Sequence, residues 1–278
     1  VLFVTSSVSG VARGVKLLSV GNLIAAAALA GVVFVLGPTV HIIDTFTNSL
    51  GGYASEFVRM SLRLTPFRDS SWVGSWTIFY WAWWLAWSPF VGLFIARVSR
   101  GRTIREFVLG VVIAPTLVAF LWFSIFGGAA LSLEIFQGSP LADVAAKDSS
   151  LALFAMLQQL PLATLTSIIG TLLVVVFFVT SGDSATLVLA TMSHGGADNP
   201  PHRSKIIWGV LIAGIAAALL LAGGVQAVQT ASIVFALPFT AVVVLMAVAL
   251  VRAIRADWEA DQKRQRALRR RMEQLVQP

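Results

Sequence analysis

The sequence has no cysteine, three histidines and few charges: 13 acidic and 20 basic side chains, 12% of 278 residues. Without cysteine there is no disulfide framework, zinc finger or iron–sulfur cluster. His41, His194 and His202 lack metal-site spacing, and no His-Glu-x-x-His, Gly-x-Ser-x-Gly or phosphate-loop pattern occurs. An enzyme reading therefore has no nucleophile with a base, and no cofactor is implied. The shortage of charge stands against 57% hydrophobic residues and a mean hydropathy of +0.84, which excludes both a water-soluble domain and a disordered chain.

What is present is long uncharged stretches. They cover 17–43, 70–96, 107–133, 149–182 and 206–251, each longer than the roughly 20 apolar residues that one bilayer crossing needs. The last is long enough for two crossings around Gly223-Gly224, so the fold class is an all-α membrane protein with six transmembrane helices. The chain begins Val-Leu-Phe-Val-Thr, not Met, and reads as the C-terminal part of something longer.

The net charge of +7 is explained by topology and not by nucleic acid. Eight basic residues fall between Arg252 and Arg271, and Arg97, Arg100, Arg102 and Arg105 share one loop. Lys and Arg stay on the cytoplasmic side of a membrane, so one orientation follows for the whole chain. Residues 1–19 are the end of a helix and a cytoplasmic loop, 20–43 a crossing outward and 44–73 an outer loop. Residues 74–252 hold five more crossings, near 74–97, 105–130, 158–182, 206–222 and 229–251, and 253–278 a basic cytoplasmic tail. The outer loop interleaves Tyr53, Phe57, Met60, Leu62 and Leu64 with Ser55, Glu56, Arg59 and Arg63. That helical period predicts an amphipathic helix on the outer membrane surface or against a neighbouring subunit. The tail lacks Gly and is rich in Arg, Glu, Gln, Ala and Leu before its final Pro278, so it is predicted to be helical. Its basic residues should be drawn to anionic membrane lipids.

Two segments carry candidate chemistry. Six of nine tryptophans lie between Trp72 and Trp87, and Trp76, Tyr80, Trp83, Trp84 and Trp87 recur at helical spacing on one face. Trp87 lies eleven residues beyond Trp76, about 16 Å along a helix, which is too deep for an interfacial belt alone. Such a face is either tight helix packing or a box for a cation without hydrogen-bond donors, which aromatic π-faces attract. Ser88-Pro89 follows, and a proline removes one helical hydrogen bond, so an interruption of this helix is expected there. The second segment is Phe177-Phe178-Val179-Thr180-Ser181-Gly182-Asp183-Ser184. Its hydroxyls either ligate a hard monovalent cation or bond back to the preceding turn, and Asp183 is expected at the helix's cytoplasmic end.

The run Ser75-Trp76-Thr77-Ile78-Phe79-Tyr80-Trp81-Ala82-Trp83-Trp84 resembles the signature of the betaine/carnitine/choline transporter family. Residues Arg97 to Phe107, Phe123 to Gly128 and Thr180 to Ser184 resemble later segments of that family, with Gly182 where Ala is usual. The resemblance implies the second half of a LeuT-like inverted-repeat transporter, with residues 74–252 as its five-helix second repeat. It implies a homotrimer in the plasma membrane that imports a quaternary-ammonium osmolyte, glycine betaine, by sodium symport. By position it assigns Trp84 to the substrate box, Trp83 and Trp87 to the cytoplasmic half of the path and Phe79 to a place near the box. It assigns Phe177, Thr180 and Ser181 to one sodium site and Phe90 to another. A proton-coupled choline transporter, a sodium-independent carnitine/butyrobetaine exchanger and a non-transporting receptor or scaffold are the alternatives.

Overall fold

A computed structural model describes residues 12–65, 67, 72–196 and 200–276; the helix end expected over 1–11 lies outside them. Among the described residues every regular element is helical. Helices α1 (Ala12–Leu36) and α2 (Thr39–Ser61) come first, then a π-helical turn (Val73–Ile78) that runs directly into α3 (Phe79–Val98). Next are α4 (Ile104–Gln137), the short α5 (Leu141–Lys147) and α6 (Ala152–Leu157), and α7 (Ala163–Met192). The last, α8 (His202–Val276), is broken at Gly223 and Gly224, whose dihedral angles are not helical. Among the described residues five helices are long and apolar enough to cross a membrane. The break in α8 falls at the turn expected between the last two crossings, and the basic tail is helical as far as Val276.

Three expectations need correction, and a fourth gains a packing partner. The helix expected over 20–43 ends at Leu36, because Pro38 has no N–H to offer the Phe34 carbonyl. The Thr39 hydroxyl donates to that carbonyl instead, at 2.7 Å, and the chain restarts as α2. Second, the helix expected in the outer loop is α2, which begins at Thr39 and packs against α4. Its His41 meets Ser132 and Phe136 of α4, its Thr45 faces Gly128 and its Tyr53 ring lies 4.9 Å from Phe120. Numbers rising on one helix and falling on the other place α2 antiparallel alongside a membrane span. Third, the crossing expected over 105–130 continues to Gln137. Thr103 and Glu106 close a reciprocal capping box at its start, and Gly138 ends it in the left-handed region at φ 69°. Fourth, the crossing expected over 158–182 starts at Ala163 and runs through Gly182 to Met192. Asp183 is therefore a buried residue inside α7, 8% exposed, and not a helix-end group.

The chain divides into two compact units, Val1–Leu64 with Phe94–Ile215 and Thr65–Leu93 with Ala216–Pro278. The core of the first is one cluster: Ala26, Leu29 and Val33 of α1, Ile42 of α2, Phe126, Ala129 and Leu133 of α4, with Met156, Leu157 and Leu173. The spacings 26–29–33 and 126–129–133 are single helical stripes. Lipid tails are as apolar as these side chains, so close van der Waals fit and not water exclusion holds the stripes together. Within the second unit Phe90 of α3 lies 6.0 Å from Phe239 of α8, centroid to centroid.

Small residues set the α2–α4 distance. A β-carbon at Gly128 would lie 3.1 Å from Thr45 Oγ1 and 3.4 Å from Ile42 Cα, whereas one at Gly127 would meet nothing within 4 Å. Both glycines are interior to α4, so alanine improves helix propensity equally at each, by about 1 kcal/mol. Gly127→Ala is expected to leave the thermal midpoint in detergent unchanged or slightly raised. Gly128→Ala must displace Thr45 and should lose about 1–3 kcal/mol to overpacking; midpoints that rise alike in both would show that the helices do not meet tightly there.

Candidate functional site

The aromatic face begins in a widened turn. In Val73–Ile78 the backbone closes π-helical bonds, and the Phe79 N–H reaches the Gly74 carbonyl five residues back. Single π turns are frequent at functional sites because the extra residue per turn re-aims the side chains after it. From here the rings from Trp76 to Trp84 form one seam, and Trp87 and Phe90 form a separate pair. Trp76 stacks on Tyr80 at 5.9 Å and 8°, Tyr80 meets Trp83 edge-on at 5.8 Å, and Phe79 stacks parallel to Trp83 at 6.3 Å and 1°. Trp83 tilts against Trp84 at 5.9 Å, and one turn on Trp87 pairs with Phe90 at 5.8 Å.

These contacts sort the predicted residues. Phe79 covers one face of Trp83, so that indole has a face already committed to packing. Trp84 stands at the end of the seam, touched by Trp83 and 59% exposed. Trp81, 56% exposed, lies outside the seam. Trp87 and Phe90 are half-buried, and Phe90 meets Phe239 of α8.

The interruption expected at Ser88-Pro89 does not occur: α3 is helical through Pro89. Pro89 has no N–H for the Leu85 carbonyl four residues back, but the Ser88 hydroxyl donates to that oxygen at 3.0 Å. The carbonyl is thus satisfied at a depth where water is absent, as a spanning helix requires. The irregular backbone lies instead at 73–78, ahead of the tryptophans.

On α7, Phe177, Thr180 and Ser181 occupy one turn. The Thr180 hydroxyl donates to the carbonyls of Val176 at 2.9 Å and Phe177 at 3.1 Å, and the Ser184 hydroxyl donates to the Thr180 carbonyl at 3.0 Å. These are back-bonds to the preceding turn, and they do not oppose cation binding. A hydroxyl has one hydrogen and two lone pairs, so Thr180 with its hydrogen directed into the helix keeps oxygen electrons for a hard cation. Ser181 is exposed beside it. Phe90 stands on α3 between Trp87 and Phe239.

Sequence reasoning passed over Asn22, Thr186 and Thr191, which are buried and each leave a side-chain polar atom without a hydrogen-bond partner among the described residues. For Asn22 a signal was available: it is the only carboxamide in the uncharged stretch 17–43.

Long apolar helices, prolines patched by hydroxyls and an aromatic seam inside one span define a multi-pass helical membrane protein. Residues 1–259 match the betaine/carnitine/choline family transporter (BCCT) family, and the chain belongs to that family. It is 46% identical over 266 residues to the ectoine/hydroxyectoine transporter of Virgibacillus pantothenticus, covering 95% of this chain and 53% of that protein. To the glycine betaine transporter OpuD of Bacillus subtilis it is 47% identical over 256 residues, covering 91% and 49%. To the glycine betaine transporter of Acinetobacter baylyi it is 44% identical over 249 residues, covering 89% and 38%. The chain spans about half the length of the curated relatives it matches.

The role of Ser88 is open to a double-mutant cycle. Ser88→Ala strips the Leu85 carbonyl of its donor and should lower stability by about 1 kcal/mol, the scale of side-chain hydrogen bonds within membranes. In a Pro89→Ala background the new N–H serves that carbonyl, and the same change should be close to neutral. Four thermal midpoints in detergent measure the coupling; equal losses in both backgrounds would remove Ser88 as the patch for Pro89.

Proposed function

We propose that this chain forms part of a secondary transporter that imports a quaternary-ammonium osmolyte, glycine betaine, by sodium symport with alternating access. The observation that carries the reading is Trp84, an indole with an open face at the end of a seam of rings inside a membrane span. A quaternary ammonium has no N–H to donate. Its recognition rests on the π-quadrupole, an attraction of about 2 kcal/mol or more once water is excluded. Membership of the family and the relatives named as glycine betaine transporters support the same solute class.

Sodium coupling is read from α7. Thr180 and Ser181 offer adjacent hydroxyl oxygens, and hard cations select oxygen ligands. In the orientation that the basic loops favour, the tail from Arg252 lies on the cytoplasmic face beside anionic lipid.

A second reading follows from the similarity to an ectoine/hydroxyectoine transporter. Ectoine carries its positive charge on a ring amidinium with N–H donors, so it would need acceptor groups as well as the π-face. Competition between labelled betaine and unlabelled ectoine for uptake by cells expressing the protein distinguishes the two.

In such cells Trp84→Leu keeps most of the apolar area and loses the π-face. The betaine concentration for half-maximal uptake should rise roughly ten- to thirtyfold, equivalent to about 1–2 kcal/mol. An unchanged value at normal surface expression would reduce Trp84 to packing.

Replacing Thr180 and Ser181 together by Ala removes two oxygens and little volume. The sodium concentration for half-maximal uptake should rise by more than tenfold while the thermal midpoint moves little. Uptake that persists undiminished without sodium in the unsubstituted protein would overturn the coupling.

A further inference from the structure

The prolines of the long helices are served differently. Pro38 and Pro89 each stand next to a hydroxyl that donates to the carbonyl they strand, Thr39 to Phe34 and Ser88 to Leu85. Pro115 lies inside α4 and follows Ala114, so no hydroxyl occupies the place that Ser88 takes beside Pro89. Thr116 donates to the Val112 carbonyl at 2.6 Å, and no side chain among the described residues donates to Val111, the carbonyl whose helical N–H this proline removes. Pro238 of α8 also follows a residue without a hydroxyl, Leu237, and its neighbour Thr240 serves Ala236.

What sets Pro115 apart is the packing on its two sides. Beyond it Phe120 meets Tyr53 at 4.9 Å, Ser132 bonds to His41 at 2.9 Å, and Phe126, Ala129 and Leu133 enter the core of the first unit. Before Ser124, α4 has no buried residue. An anchored half and an arm, Ile104–Ala114, therefore meet at a turn that one hydrogen bond fewer holds in place. Sharp bends in helices concentrate at proline for this reason. Only residues 99–103 separate the arm from α3, so the chain ties a swing of the arm to movement of the aromatic helix.

We propose that α4 hinges at Pro115, the arm Ile104–Ala114 swinging against the anchored half, and that the lack of a hydroxyl at position 114 keeps the turn soft. The hinge rests on the transport reading only in its effect on uptake. The motion itself is measured without turnover, so the two ideas fail separately.

The test uses the full-length protein in lipid nanodiscs, with any cysteine outside residues 1–278 replaced by serine; residues 1–278 have none. Spin labels go on Ile104→Cys at the arm's tip and Met192→Cys at the end of α7, both exposed and both in the first unit. A bend of about 20° acting over eleven residues, about 16 Å, carries the tip by about 5–6 Å. Double electron–electron resonance should give distances spread over that range. Ala114→Ser recreates the Ser-Pro pair of α3 and Pro115→Ala restores the N–H; both should narrow the spread to one distance, whereas Ala114→Val, which adds bulk without a donor, should leave it broad. One narrow distance in every protein, or a spread indifferent to the serine and to the alanine, overturns the hinge. In cells, Ala114→Ser should lower the maximal rate of betaine uptake about threefold or more while the half-maximal concentration stays within about twofold, as expected where a conformational step limits turnover. Distances that narrow while the rate is unchanged overturn the hinge's part in transport. Distances that respond in a protein that takes up no betaine overturn the betaine reading and leave the hinge standing.

Discussion

A backbone carbonyl that loses its helical N–H inside a bilayer has no water to turn to, and at two prolines here a neighbouring hydroxyl supplies the substitute. Two prolines illustrate it. Pro38 leaves the Phe34 carbonyl without a donor and the neighbouring Thr39 hydroxyl takes its place; Pro89 does the same to Leu85 and the neighbouring Ser88 hydroxyl answers. Each hydroxyl lets the chain carry a sequence feature that would otherwise expose polar backbone to lipid. The outcomes nevertheless differ: the chain turns at 37–38, where Gly37 precedes the proline, and runs on as helix through Pro89.

The same constraint bears on where ligand chemistry can reside. In α3 the backbone is satisfied throughout the aromatic segment, so what remains for a ligand is the faces of the rings. The π turn at 73–78 sets the direction in which those rings leave the helix, and the stacked pairs from Trp76 to Trp83 hold one another in place. Rigid neighbours fix the orientation of Trp84 without using its outer face. In α7 the hydroxyl hydrogens are directed into the helix, which leaves oxygen lone pairs as the available polar surface.

Most of the class was legible before any coordinate. The spacing of charge marked the apolar segments, and the run from Ser75 to Trp84 carried the family. The helical tail was legible from propensity alone. What misled was local: a proline was read as an interruption at Ser88-Pro89, and the last charge-free residue was taken as the end of a helix at Gly182. The first failed because the donor that rescues the carbonyl is the adjacent side chain, whose rotamer the sequence does not display. The second failed because Asp183 is buried inside α7, and burial depends on packing.

The sequence by itself therefore determined the solvent, the number of apolar stretches and the residue types available for chemistry, because transfer to lipid is a property of composition along the chain. Only the tertiary structure decided that α2 runs beside α4 across Gly128, that Phe79 stacks on Trp83 while Trp84 stays 59% exposed, and that the amide of Asn22 is buried. Those are relations between residues distant in sequence or between neighbouring rotamers. They arise from van der Waals fit and hydrogen-bond direction, which act over a few ångströms between groups that only the folded chain brings together.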